Sequence, residues 1–475
     1  GELNSKVKGI LKNFSYSFAA NITSTLISMV LVAFVPKLLG QTEYSYWQLY
    51  VFYTGYVGFF HFGLADGIYL RYGGKEYDEV PKPLFHFQFW TLVCCEILLA
   101  IVMSLFVVFL IPNSDKILIL LLTALCCVLV LPRTMLQYVL QGTNRIKEYA
   151  RNLMIEKVIY GSLVVIVLAL GFRNYEYLLL ADIIAKAVTL FTMCLSCKDI
   201  VIQTTVSFKE GIREVWNNIS VGIKLMFSNI AGMLIVGIVR FSIEQVWSVE
   251  TFGKVSLSMS VSNLMMLFIT AVSVVMFPLL KRTPQEKWAD NYKLMRNILV
   301  IPLLGLLVLY YPAKVILSAW LPQYEESLRY MALMFPMCLY EGKMSMLINT
   351  YMKAMRMEKQ MLLVNLISVT LSVLSTGLVI FLLKDLVLSV VSIMVLLAFR
   401  CILAELILAK RLSLKVGTDI VLEVLMTALF VVSNWFINNW LCVVVYAVGY
   451  LVYVFIRRKS ILPMVQTVKG MLKAK

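Results

Sequence analysis

The sequence predicts an all-α integral membrane protein with about fourteen transmembrane helices, in two pseudo-symmetric six-helix lobes followed by two C-terminal helices. Of its 475 residues, 60% are hydrophobic and only 15% are charged, which leaves too little polar surface for a water-soluble chain. Apolar runs of about 19 residues or more recur along the chain, and each can cross ~30 Å of hydrocarbon as a helix. Cations concentrate in alternate connections between these runs, the pattern that the positive-inside rule describes for multi-pass proteins.

The first apolar segment is longer than the core of a signal peptide and lacks a small-residue cleavage pattern after it, so it is interpreted as the first span. The predicted spans are 14–38, 44–70, 84–111, 116–140, 153–171, 176–197, 220–240, 250–279, 293–311, 325–352, 361–383, 385–409, 418–436 and 440–456.

The distribution of cations predicts the orientation of these spans. Arg145, Lys147 and Arg151 cluster in the fourth connection, for example, and the other even-numbered connections and both termini are similarly basic. Since cytoplasmic loops carry the excess of Lys and Arg, we expect both termini and all even-numbered connections on the cytoplasmic side.

The longest break between spans, residues 199–219, predicts the domain organisation. Its apolar residues from Phe208 to Ile219 recur at helical spacing opposite charged ones, which indicates an amphipathic helix lying on the cytoplasmic membrane face. We interpret it as the tether between an N-lobe at 1–198 and a C-lobe at 220–411, with spans thirteen and fourteen and a basic tail at 412–475. Asn21-Ile22 in span one is echoed by Asn229-Ile230 in span seven, which suggests two repeats of the same orientation.

Charged residues inside the predicted spans are the candidate functional groups, because a charge at mid-bilayer costs roughly 2.5–3.5 kcal/mol and usually faces a cavity or a partner. Four cations have an acid nearby in sequence, which favours structural pairing: Glu156 with Lys157, Asp182 with Lys186, Glu341 with Lys343, and Glu405 with Arg400. Lys37, Arg133 and Lys254 have no such local partner.

Polar stripes accompany the cations that have no acid nearby in sequence. Lys254, Ser258 and Ser262 follow one face of span eight, another stripe in span one includes Asn21, and Arg240 closes span seven on the face of Asn229. Such stripes can also hold helices together. With these cations beside them, the stripes favour a hydrated cationic chamber that attracts anions. One phosphate facing one cation at 4 Å gains on the order of 4 kcal/mol before desolvation.

Other classes of site have little support in the sequence. The nine cysteines lie in or beside apolar runs, which argues against a disulfide framework, and two histidines make a histidine-based metal site improbable. The cations that give the net charge of +16 lie mainly in connections beside the predicted membrane spans, so we expect no nucleic-acid partner. No resident cofactor is expected.

Three motifs resemble a known family. Phe34-Val-Pro-Lys-Leu-Leu-Gly40, Phe62-Gly-Leu-Ala-Asp66 with Arg71-Tyr-Gly-Gly74, and Gln141-Gly-Thr-Asn-Arg145 are similar to segments of bacterial polysaccharide flippases. These are the Wzx-like O-antigen and capsule flippases of the multidrug/oligosaccharidyl-lipid/polysaccharide (MOP) superfamily. Fourteen spans in two lobes with a central linker extend the resemblance over the whole chain.

The resemblance implies a MOP/MATE-like fold and a non-enzymatic transporter of the bacterial cytoplasmic membrane. It would flip a polyprenyl-pyrophosphate-linked oligosaccharide to the outer leaflet by alternating access, for cell-surface polysaccharide export. We expect a monomer that contacts membrane lipids and polysaccharide-assembly proteins and is coupled to a proton or sodium gradient. The candidate substrate-binding residues are Arg240 and Lys254, then Lys37 and Arg133, with Asn21, Asn229 and Ser258 beside them.

Two other functions stay open. A multidrug antiporter of the same superfamily is disfavoured because a carrier of organic cations needs acids, and span one has none between Asn13 and Lys37. A membrane-embedded glycosyltransferase or polymerase would need an acid–base pair near an interface, and Asp66 and Glu96 do not form a recognisable one.

Overall fold

The computed structural model describes residues 1–266, 269 and 283–473, and within them the regular structure is helical. The N-terminal part contains α1 (Glu2–Leu38), α2 (Gln41–Thr54), α3 (Leu64–Tyr72), α4 (Lys82–Leu110), α5 (Ser114–Gly142), α6 (Ile146–Ala169), α7 (Tyr175–Ser196) and the short α8 (Lys198–Val201). The longest helix, α9 (Phe208–Val246), follows.

The C-terminal part continues with α10 (Val249–Asn263), α11 (Trp288–Leu306), α12 (Tyr310–Trp320), α13 (Glu325–Met334), α14 (Met337–Gly342), α15 (Asn349–Ala354), α16 (Glu358–Thr376), α17 (Leu386–Leu412), α18 (Gly417–Phe436), α19 (Leu441–Ile456) and α20 (Arg458–Lys473). Two π-helical segments, Lys343–Ile348 and Gly377–Leu382, lie between α14 and α15 and after α16.

Ten helical segments in the described residues are long and apolar enough to cross a membrane, and α19 with α20 forms a bent eleventh candidate. The chain is therefore a multi-pass membrane protein, as predicted. Ten of these eleven match predicted spans directly, and α19 matches the fourteenth. Of the remaining three predicted spans, the second and tenth are interrupted helices, and the eighth lies partly outside the described residues.

Predicted span two is broken by glycines and a left-handed turn. The continuous helix predicted over 44–70 divides into α2 and α3, and between them Phe62 and Gly63 have φ values of 56° and 94°. A right-handed helix cannot pass through two such residues. Hydropathy alone did not reveal this break, because the apolar composition continues across it.

Predicted span ten is divided into α13, α14, a π-helical segment and α15. Pro336 stands between α13 and α14, where its missing N–H and its ring interrupt the helical hydrogen bonds. The π-helical turn that begins at Lys343 widens the next part of the helix. Such turns occur frequently at functional sites, and this one carries a buried lysine.

The segment predicted as an amphipathic tether between the lobes belongs to a longer helix. Residues 208–219 are helical, but they continue without a break into predicted span seven as part of α9. Arg71 on α3 donates to Glu214 at 2.7 Å and to Asn218 at 2.8 Å, and Asn218 donates to Gln88 on α4 at 2.5 Å. These bonds hold the segment against α3 and α4, so its charged face is partly buried.

Backbone packing explains why this segment joins the N-terminal part. A Cβ added to Gly67 would lie 1.8 Å from the carbonyl oxygen of Asn218, and one added to Gly222 would lie 2.0 Å from that of Gly63. Only glycines permit such close approach of α3 to α9. The chain accordingly divides by internal packing into unit 1 (Gly1–Ile230) and unit 2 (Ala231–Lys475), with the boundary inside α9.

Candidate functional site

Unit 1 contains a buried group of opposite charges, the unit 1 cluster, formed by Arg133, Glu156, Asp182 and Lys186. Arg133 Nη1 lies 2.9 Å from Glu156 Oε2, and these side chains are only 9% and 13% exposed. Lys186 donates to Asp182 one helical turn away, and the Tyr50 hydroxyl donates to the same carboxylate at 2.5 Å. Two cations and two acids make the cluster neutral overall.

The cluster corrects one premise of the predicted cationic chamber. Arg133 on α5 has an acid partner, but that partner is on α6, 23 positions away in sequence. The acid expected to pair with Lys157 is therefore bound to Arg133. The predicted Asp182–Lys186 pair is confirmed, because helix geometry places side chains four residues apart on one face.

Unit 2 contains a second neutral group, the unit 2 cluster, formed by Arg296, Lys343, Glu405 and Glu423. Lys343 Nζ donates to Glu405 at 2.8 Å and to Glu423 at 2.7 Å. Arg296 donates to the same two carboxylates at 2.8 and 2.5 Å, and the Tyr292 hydroxyl also donates to Glu405. All four charged side chains are at most 1% exposed. Their ion pairs join α11, α17, α18 and the π-helical turn in the interior of unit 2.

Two predicted pairs are exchanged in this region. Glu341 lies 3.5 Å from Arg400, whereas Lys343 binds both Glu405 and Glu423. The sequence did not identify Glu423 as a partner, because it is far along the chain from both Arg296 and Lys343. An acid in the middle of an apolar span was itself a usable sign that a cation must reach it.

Lys254, a first-choice substrate contact, also has an acid partner. Its Nζ lies 3.0 Å from Glu326 Oε2 on α13, and the two side chains are 29% and 57% exposed. Ser258, one turn further along α10, is buried and donates to the backbone carbonyl of Ser327. The stripe on this face of α10 therefore joins two helices at its buried end and presents an accessible charge at the other.

Arg240 contacts a different face of α10. Its Nη2 donates to Ser256 at 2.9 Å, and its guanidinium lies 5.1 Å from the centre of the Phe252 ring. Residues two positions apart on an α-helix point about 160° apart. Ser256 and Lys254 therefore face opposite ways, and the structure does not bring Arg240 and Lys254 together around one ligand.

The remaining predicted site residues are less enclosed. Lys37, Asn21 and Asn229 are exposed positions on α1 and α9, and the backbone carbonyl of Asn21 accepts from Thr25 at 2.8 Å.

The two acids considered for an enzymatic function are buried and are not paired with each other. Asp66 lies 3.9 Å from His61, while Glu96 is buried on α4. Within the described ranges, no three His, Cys, Asp or Glu side chains form a metal-binding group.

Solved structures with the same fold were found by comparison. The chain is similar to the lipid II flippase MurJ in its inward closed conformation, with a TM-score of 0.61 and 14% identity over 95% of this chain and 100% of that one. It is also similar to an inward-facing multidrug-resistance MATE-family transporter of the MOP superfamily, with a TM-score of 0.56 and 12% identity over 82% and 98%. A MATE transporter in the straight conformation gives 0.52 and 12% over 86% and 96%.

No family model matches the sequence, and no curated protein matches it. The similarity to these solved structures is therefore one of fold. The chain has the MOP/MATE-like fold that its sequence predicted, and its structural neighbours are transporters.

Proposed function

We propose that this protein is a MOP-superfamily transporter that flips a polyprenyl-pyrophosphate-linked oligosaccharide across the bacterial cytoplasmic membrane by alternating access. The full-length similarity to a lipid II flippase supports the flippase class. The sequence resemblance to Wzx-like proteins supports an oligosaccharide as the headgroup and surface polysaccharide export as the pathway. A proton or sodium gradient would drive transport.

The observation that carries the proposal is the accessible ion pair between Lys254 and Glu326. Both clusters are neutral and enclosed, so an anion entering either would displace a buried carboxylate at high cost. The Lys254 and Glu326 side chains are partly exposed, and a solvent-exposed pair contributes only about 0.2–1 kcal/mol. A pyrophosphate oxygen can therefore replace the Glu326 carboxylate on Lys254 at little cost.

The exchange gives Glu326 a defined role. While the substrate is absent, the carboxylate neutralises Lys254, and the Tyr330 hydroxyl holds the other carboxylate oxygen at 3.0 Å. A pyrophosphate joined to a lipid and a sugar carries two negative charges against one on the carboxylate, so it makes the stronger interaction with the ammonium group when it binds. Arg240 would then act at a separate position, because it contacts the opposite face of α10.

Charge variants at this pair test the proposal in a lipid-linked oligosaccharide translocation assay on equal amounts of folded protein. We expect Lys254→Arg to retain most activity, whereas Lys254→Gln and then Lys254→Glu lose it progressively. Removing one charge-assisted contact costs about 1.5–3 kcal/mol, or roughly ten- to a hundredfold in substrate affinity. Glu326→Gln should retain transport and strengthen substrate binding, because it removes the competing carboxylate.

The control is Lys359→Gln, which removes an exposed lysine at the start of α16 and should leave transport unchanged. Equal rates for wild type and Lys254→Gln would refute the site. Equal losses in Lys254→Gln and Glu326→Gln would show that the pair has only a structural role.

The second candidate function is a MATE-like antiporter of small organic cations, which the MATE structures with TM-scores of 0.56 and 0.52 support. An organic cation would favour Glu326 over Lys254, so the same variants separate the two functions. Under the antiporter function, Glu326→Gln would lose transport and Lys254→Gln would retain it.

A further inference from the structure

The C-terminal helix α20 forms a right angle with the last membrane-spanning helix. The axes of α19 and α20 are bent by 85° at Arg457. Since α19 has 16 residues, it rises about 24 Å, close to the thickness of the hydrocarbon layer. We therefore expect a helix perpendicular to α19 at its end to lie along the membrane surface.

The corner between the two helices is fixed by hydrogen bonds. Arg457 donates to Asn297 on α11 at 2.6 Å and also to Asp419 on α18. Further along α20, Met464 is only 9% exposed, and α20 packs against α11. The orientation of α20 is thus set by unit 2, and one face is covered by it.

The uncovered face of α20 is basic. Arg458, Lys469 and Lys473 are exposed and project within about 60° of one another around the helix axis, with Lys459 about 40° further round. The sequence 458–473 contains no Asp or Glu. The cations on this surface, called here the α20 basic face, therefore have no acid on their own helix.

Apolar side chains accompany the cations. Leu462 and Leu472 are 64% and 66% exposed; Leu462 lies within this arc and Leu472 lies about 40° outside it. Exposed leucines among lysines are typical of a helix that inserts its apolar side chains between lipids and places its cations among the headgroups. A soluble acidic partner would account for the lysines, but the leucines would need a second, apolar surface.

We infer that the α20 basic face is a binding site for anionic phospholipid headgroups of the leaflet in which α19 ends. The inference is independent of the transported substrate, because it concerns residues outside the proposed substrate contact. Each cation near an anionic surface contributes about fivefold in affinity, so three cations favour anionic over zwitterionic lipid by about a hundredfold.

The test is backbone hydrogen exchange of residues 458–473 in the full-length protein, in phosphatidylcholine nanodiscs that contain increasing fractions of phosphatidylglycerol. We expect phosphatidylglycerol to slow exchange in α20. The fraction that gives half-maximal protection should rise at least tenfold in the Arg458→Gln/Lys469→Gln/Lys473→Gln variant. Replacing Arg458 with Lys and both lysines with Arg keeps the charge and should retain the wild-type dependence.

The matched control is Lys410→Gln/Arg411→Gln/Lys415→Gln, which removes one arginine and two lysines from exposed positions near the end of α17. It should retain the wild-type lipid dependence at α20. Equal protection in phosphatidylcholine and phosphatidylglycerol would overturn the inference, as would an unchanged lipid dependence in the α20 glutamine variant. Protection that requires an added acidic protein would also overturn it.

Discussion

Arg133 and Glu156 illustrate how a buried charge depends on a partner from another helix. Their atoms lie 2.9 Å apart and both side chains are nearly enclosed. Arg133→Gln would leave the Glu156 carboxylate without its cation, and breaking a buried pair in this way costs about 3–5 kcal/mol. We expect the unfolding free energy in detergent to fall by that amount.

The double variant Arg133→Gln/Glu156→Gln should recover most of the loss, because neither buried charge remains. Lys147→Gln, at an exposed position, serves as the control and should change stability little. A double variant as unstable as Arg133→Gln would contradict the pairing.

Lys343 is predicted to matter more for stability than its neighbour Glu341. Lys343 touches two buried carboxylates, whereas the Glu341 side chain is 40% exposed and 3.5 Å from Arg400. Lys343→Met should therefore lower the unfolding free energy by about 3–5 kcal/mol, and Glu341→Gln by less than about 1 kcal/mol. Thermal unfolding of the two purified variants measures the difference; similar melting temperatures would mean that the unit 2 cluster contributes little.

At the residue scale, the sequence located the intramembrane charges but found few of their partners. The Asp182–Lys186 pair was predictable because both residues are on one turn of one helix. Lys343 and Glu423 are 80 positions apart, and only the packing of unit 2 brings them together. For the same reason Lys254 was predicted to be unpaired, although Glu326 lies beside it.

At the scale of elements, the contact between α3 and α9 gives the sharpest prediction. Gly67→Ala would place a methyl group 1.8 Å from the Asn218 carbonyl oxygen, so α9 must move away from α3. We expect faster hydrogen exchange in residues 208–219 and a loss of about 1–3 kcal/mol or more in stability. Gly377→Ala is the control, because nothing lies within 4 Å of its added Cβ. Unchanged exchange in Gly67→Ala would show that this close packing is absent.

The elements also show what hydropathy can and cannot predict. It located the long helices α4 to α7 closely, since a membrane-spanning helix is defined by its length and apolar composition. It missed the breaks in spans two and ten, because Gly63 and Pro336 act through backbone geometry and leave the average composition unchanged. The amphipathic pattern at 208–219 predicted membrane contact, and Phe208 and Trp216 are 74% and 68% exposed. The pattern did not reveal that Glu214, on the charged face, binds Arg71 of α3.

At the scale of the whole molecule, the alternation of cations predicts a cytoplasmic location for the start of α9 and for α20. Single cysteines at positions 209 and 469, in a background without the exposed Cys94 and Cys95, should resist an impermeant maleimide in intact cells and react after permeabilisation. A cysteine at Asn439, in the predicted outer connection between α18 and α19, should react without permeabilisation. Labelling of position 209 or 469 from outside would reverse the proposed orientation.

The proposed function is movement of a lipid-linked oligosaccharide between leaflets. In the direct measurement, the purified protein is reconstituted in liposomes with a polyprenyl-pyrophosphate-linked oligosaccharide. Exposure of the oligosaccharide on the outer leaflet is then followed with an impermeant glycan-modifying enzyme. A parallel set of liposomes measures ion-driven exchange of a small organic cation. We expect protein-dependent exposure of the oligosaccharide and no exchange of the organic cation. Oligosaccharide exposure no faster than in protein-free liposomes, together with active exchange of the cation, would contradict it.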